Sequence, residues 1–178
     1  MENTNKQRSN VSSQTKTLVS AALFAALVCV TTAYFLHIPV GNGGYVHVGD
    51  TFIYLAAVLL PTPYAVASAA IGAGMADILT GSANWALATI IIKPIMVLFF
   101  TNKSEKIINL RNICAAIIAG IVGTFLYLVA EGIMIGSFTS AIVFTLMGLI
   151  QPIGSFIFFI IIGMAFDKLN IKEIFKNK

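Results

Sequence analysis

The chain has 178 residues, 58% of them hydrophobic and only 10% charged, with a mean hydropathy of +0.91 and a net charge of +4. A water-soluble domain carries about a quarter charged residues, so this composition excludes an ordinary soluble fold, a disordered chain and collagen, and points to a polytopic membrane protein. Tight loops between spans of roughly 20 residues leave no space for a separate soluble domain.

Residues 1–15 read as a polar cytoplasmic tail, and residues 16–168 as one membrane domain. The first apolar stretch runs from about Lys16 to Leu36 and lacks the clear cleavage motif of a secretory signal, so it is read as helix 1. Within it, Ala21-Ala22-Leu23-Phe24-Ala25-Ala26 holds two overlapping small-xxx-small pairs, Ala21 with Ala25 and Ala22 with Ala26. Such a stripe lets another helix approach closely in lipid, within the bundle or in a partner.

The segment HIPVGNGGYVHVGD, residues 37–50, has the glycine and proline content of a loop. Gly41, Gly43 and Gly44 permit close backbone approach to a ligand, while Asn42, Tyr45, His47 and Asp50 supply a ring and hydrogen-bonding groups. His37 reads as an interfacial side chain. From Asp50 to Asp77 no charge intervenes, and Pro61-Thr62-Pro63 splits the stretch into helices 2 and 3. Helix 2, about Val48 to Leu60, is short for a ~30 Å hydrocarbon core, so it must be tilted, packed inside the bundle or continued by ordered loop.

Helix 4 is expected from about Asn84 to Phe100, and the basic loop TNKSEKIINLRN follows. Helix 5 is expected from about Ile113 to Ala130, and helix 6 from about Ala141 to Phe166 with a bend at Gln151-Pro152, where Gln151 would satisfy the interrupted backbone. Residues 169–178 form a basic tail. Apart from Lys93, the eleven basic residues fall in the N-terminal segment, the loop after helix 4 or the C-terminal segment. The positive-inside rule then gives a six-helix, all-α transmembrane bundle with both termini cytoplasmic. The sequence pI of about 9.2 reflects that topology, and no nucleic-acid partner is implied.

With this topology the polar side chains gather toward the outer side. Lys93, in ATIIIKPIMVLFF, is the sharpest, because an ionised group at that depth must be paired or hydrated. Asp77 is its nearest expected partner, across the hairpin of helices 3 and 4, with Asp50 and Glu131 as alternatives. Asn84 and Trp85 begin helix 4, and Glu131 ends helix 5 as an outer-loop carboxylate. The candidate substrate-binding set is therefore Asn42, Tyr45, His47, Asp50, Asp77, Asn84, Trp85, Lys93 and Glu131. No HExxH, GxSxG or Walker motif is present, and neither histidine has companions at metal spacing, so no catalytic residue, metal or cofactor is expected. Cys29 and Cys114 read as inert packing residues.

The order of these features resembles the substrate-binding S components of energy-coupling factor (ECF) vitamin transporters, over about residues 16–168. The resemblance rests on the alanine stripe of helix 1, the loop GNGGYVHVGD and the segment GAGMADILTGSANWALATIIIKP. The last two look like the flavin-type branch. It implies a bacterial plasma-membrane subunit that captures a vitamin or precursor from outside and joins a membrane-embedded T component and two cytoplasmic ATPases. It further implies that Asn42, Tyr45, His47 and Asp50 gate the site, that Asn84, Trp85, Lys93 and Glu131 line it, and that Ala21, Ala22, Ala25 and Ala26 meet the T component. One tryptophan with mixed charges suits a small heteroaromatic ligand bearing hydroxyls or a phosphate, with a pyridoxine or hydroxymethylpyrimidine type first and riboflavin second. The competing readings are a self-sufficient proton-coupled carrier relaying through Asp77, Lys93 and Glu131, and a structural membrane subunit without ligand.

Overall fold

A computed structural model describes residues 2–35, 37–39 and 45–175, with side chains from Ser13 onward. Eight helices occur among the described residues: α1 (Glu2–Ala33), α2 (Asp50–Leu59), α3 (Thr62–Leu79), α4 (Ala83–Val97), α5 (Leu110–Ile135), α6 (Phe138–Gly148), α7 (Ile150–Lys168) and the single turn α8 (Lys172–Phe175). A two-stranded antiparallel ladder, β1 (Ile38–Pro39) with β2 (Tyr45–Val46), closes the loop between α1 and α2 by pairing Ile38 with Val46 and Pro39 with Tyr45.

Several expected boundaries shift. The helix of α1 starts at Glu2 and takes in the polar N-terminal stretch, and its apolar span is Ser13–Ala33. Leu110–Ile135 and Phe138–Lys168 are likewise long and apolar enough to cross a membrane. The expected helix 6 is two helices meeting at Leu149, two residues before Gln151, and α5 is longer than expected at both ends. Gly136 ends α5 in the left-handed conformation, φ 72°, which glycine adopts without a Cβ clash.

The short helix resolves the length problem of the sequence reading. At ten residues α2 spans about 15 Å, and all of it except Phe52 is buried. It is a core strut, with Tyr54 packed against Phe100 and Phe159 at ring-centroid distances of 5.0 and 5.8 Å. Around it, Leu23, Ile71, Leu87, Ile121, Phe125 and Ile153 face outward. That outward apolar coat is what a bilayer requires, and packing between helices then depends on small residues.

The alanine stripe illustrates this and divides into two faces. Ser68 Oγ of α3 donates to the Ala21 carbonyl at 2.8 Å, and a Cβ on Gly72 would stand 2.5 Å from the Ala25 carbonyl oxygen. Ala21 and Ala25 thus belong to the α1–α3 contact, which corrects the expectation that all four alanines face a partner. Ala22 and Ala26 remain exposed.

At the end of the molecule carrying the basic loop, the backbone is tied down. The Asp167 carboxylate accepts from the N–H groups of Ile107 and Ile108 at 2.8 and 2.9 Å. Asn112, fully buried, accepts from Thr101 N–H and donates to the Thr101 and Ile107 carbonyls. Asn102 donates to the Leu60 carbonyl at 2.8 Å, joining this knot to the end of α2. The C-terminal segment also folds back, placing Phe175 against Phe24 of α1 at 6.2 Å. Cys29 is half-buried and Cys114 is exposed, so the latter is not a packing residue of the bundle.

Candidate functional site

At the opposite end, α2 to α7 together with Tyr45 and Val46 of β2 and the following His47 surround a partly open cavity of about 130 Å³. Its lining has the make-up of small-molecule sites, which are typically apolar with a few convergent polar groups. The helical period explains how the residues reach it. Trp85, Thr89, Lys93 and Met96 recur at three- and four-residue spacing along one face of α4, and Gly120, Gly123, Tyr127 and Glu131 do so along α5. The two faces meet closely because Gly123 leaves space for the Met96 side chain.

The electrostatic centre is an ion pair. Lys93 Nζ lies 2.6 Å from Asp50 Oδ1, and both residues are only 2% exposed. The ammonium also stands 5.0 Å above the Tyr127 ring, within cation–π range. Gln151 Nε2 donates to Asp50 Oδ2 at 3.0 Å. One carboxylate therefore binds α2 to α4 and to α7, and desolvating it is tolerable only because both oxygens are engaged. This arrangement corrects two expectations. The partner of Lys93 is Asp50 rather than Asp77, because buried α2 delivers its first residue to the middle of α4. Gln151 holds Asp50 rather than the interrupted backbone.

Asp77 has a different task. Its Oδ1 accepts from the Tyr45 hydroxyl at 2.6 Å, fastening the segment before α2 to the end of α3. Tyr45 stacks on His37 at 4.1 Å and leans on His47 at 5.5 Å, so three rings form a cover beside the cavity mouth. Burial, followed by the Asp77 carboxylate, pushes the Tyr45 phenol above its ordinary range. His47 is buried and its Nδ1 accepts from Gly49 N–H at 2.9 Å, which requires that nitrogen to be unprotonated. Burial, reinforced by the Lys93 charge against the opposing pull of Asp50, lowers its pKa to about 3.

Of the candidate residues, Tyr45, His47, Asp50, Asp77, Trp85, Lys93 and Glu131 line the cavity. Asn84 is exposed at the start of α4 and does not line it. Asn42 lies outside the described residues. Glu131 is not an outer-loop carboxylate but a buried residue of α5, 4% exposed, because that helix continues past it to Ile135. Trp85 is 7% exposed, and its Nε1 has no hydrogen-bond partner among the described residues.

Sequence reasoning left Thr89, Tyr127 and Gln151 out of the site. The signal for the first two was available: Thr89 stands midway between Trp85 and Lys93 at i+4 spacing, and Tyr127 lies one turn before Glu131. Tyr127 donates to Thr89 Oγ1 at 3.0 Å across the α4–α5 contact.

A family model for the S component of ECF-type riboflavin transporters matches residues 12–170. The chain belongs to this family. No curated protein and no solved structure matches it significantly. The ECF S component is thus a membrane-embedded, substrate-binding transporter subunit rather than an enzyme, in accord with the resemblance carried by the helix 1 alanines and the loop before α2. In this S component the match takes in every element that walls the cavity.

Proposed function

We propose that this S component captures riboflavin from the outer side of the bacterial plasma membrane and delivers it to a T component and two cytoplasmic ATPases. The chain then makes six passes, with α6 and α7 counted as one, and both termini are cytoplasmic. The observation that carries the substrate reading is the cavity itself. It has aromatic walls at Trp85, Tyr127 and Phe144, and an indole N–H that meets no acceptor among the described residues. A planar heteroaromatic ring with carbonyl acceptors suits those walls and that donor. Together with the substrate in the family's description, this favours riboflavin over the pyridoxine type of ligand.

In this reading Tyr45, His47 and Asp77 close the loop over the ligand. Trp85, Lys93, Glu131 and Asp50 form the site floor and walls, and the loop residue Asn42 contributes to the gate. Ala22 and Ala26, still exposed on α1, are the face offered to the T component. The proton-relay alternative gains no support, since Lys93 is bonded to Asp50 and a relay through it would first have to break that pair.

Equilibrium binding of the purified protein in lipid nanodiscs to riboflavin, pyridoxine and hydroxymethylpyrimidine tests the reading. Riboflavin is expected to bind at least 100-fold more tightly than the others. Preference for pyridoxine, or no binding to any of them, overturns it.

A further inference from the structure

We propose that an acyl chain of a membrane lipid seats in a groove between α5 and the α6–α7 pair and completes the wall of the cavity on that side. The groove lies on the outside of the bundle, has about 530 Å³ of space and is built from α5 to α7 with their α6–α7 junction. Exposed Ile117, Ile121 and Phe125 of α5 form one rim, and exposed Leu149 and Ile153 form the other. Its only polar side chains are Thr124 and Thr145. From Ala116 to Leu128 it runs roughly 18 Å along α5 at 1.5 Å per residue. It is centred on the middle of the Leu110–Ile135 span, which places it within a ~30 Å hydrocarbon core.

The break in the last pass opens this groove. Pro152 has no N–H for the Gly148 carbonyl, and the neighbouring bonds are long, 3.4 Å from Leu149 N–H to the Leu146 carbonyl and 3.5 Å from Ile153 N–H to the Leu149 carbonyl. At the floor α5 and α7 come close, since a Cβ on Gly120 would stand 3.2 Å from Pro152 Cβ. Gly120, Thr124, Thr145 and Pro152 line both the groove and the cavity, so one layer of residues divides them. Water does not hold such a slot, because two threonine hydroxyls offer it too few partners. Leaving it empty forfeits dispersion contacts along its whole length. The alanine face proposed for the T component is on α1, which packs on α2 and α3, away from the groove. The groove is continuous with the outward apolar coat, and Phe138–Lys168 is the least buried of the three long spans. What meets it is therefore the hydrocarbon of the bilayer, whose chains run along the helices.

The test irradiates the S component in nanodiscs of phosphatidylcholine, with a trace of the same lipid carrying a diazirine on an acyl chain, and maps the adducts by mass spectrometry. The half-buried floor residues Thr124, Thr145 and Pro152 are expected to be labelled at no less than half the yield of Ile71 on α3, which is 60% exposed. Ile121→Trp, whose larger ring can lie across the groove, should lower floor labelling at least fivefold and leave Ile71 unchanged. Wild-type adducts confined to rim residues such as Ile121 and Ile153 would overturn the proposal, as would floor labelling indifferent to Ile121→Trp. A dimeric S component in the discs with an unlabelled floor would assign the groove to a second copy. Floor labelling must also survive addition of the T component and ATPases, since its loss would assign the groove to them.

Discussion

Removing one member of the Asp50–Lys93 pair should be far more costly than removing both. At 2.6 Å and an effective dielectric of ~20, the Coulomb attraction is about 6 kcal/mol, opposed by the desolvation of two ions. A lone buried ion can escape part of that loss by changing its protonation state. From reference values, neutralising a lysine at pH 7 costs about 4.6 kcal/mol and an aspartate about 4.2 kcal/mol, which sets a ceiling on each single substitution. Lys93→Met and Asp50→Asn are therefore each expected to destabilise the fold by about 3–4 kcal/mol. The double variant, with no ion left and the amide still able to meet Gln151, should recover at least about 2 kcal/mol of either loss. The assay is a double-mutant cycle on reversible unfolding in mixed micelles of fixed composition. A coupling energy below about 0.5 kcal/mol would falsify the argument, since it would mean that water solvates the pair and that burial does not enforce it.

Two further expectations follow from the geometry. Replacing Ala21 or Ala25 with leucine should destabilise the S component by about 1–3 kcal/mol through overpacking against α3, whereas the same change at Ala22 or Ala26 should leave melting unchanged and reduce co-purification with the T component. Equal melting shifts at all four positions would refute the division of the stripe. His47 sets a pH dependence: its pKa is pushed down to about 3 in the closed loop and returns to 6.5 once the loop opens. The open loop therefore binds the extra proton as pH falls below 6.5, and the closed form loses about 1.4 kcal/mol per pH unit, roughly 2 kcal/mol by pH 5. Hydrogen exchange at Gly49 and ligand affinity should both report this opening between pH 7.5 and 5, with His47→Gln flattening the profile; a flat wild-type profile contradicts the role given to burial.

The local pattern was informative wherever the physics is local. Pro61 and Pro63 marked the break before α3, where Leu60, the residue before the first proline, is extended. Tyr45, His47, Asp50, Asp77, Trp85, Lys93 and Glu131 stood out as polar groups in an apolar chain, and they do surround one cavity. Thr89 and Tyr127 were equally accessible through helical spacing, but a hydroxyl costs less in lipid than a charge and so signals less. Gln151 was not accessible, since its partner lies 101 positions away in the chain.

By itself, then, the amino-acid order determined a helical membrane protein of the S-component type and the polar inventory of its site. Burial of charge is so unfavourable in hydrocarbon that each exception announces itself. Only tertiary structure decided the pairings. Which carboxylate meets Lys93 and which alanines face α3 depend on where buried α2 sets Asp50 between α4 and α7. Those distances are products of packing among small residues such as Gly72 and Gly123, and no spacing along the chain encodes them.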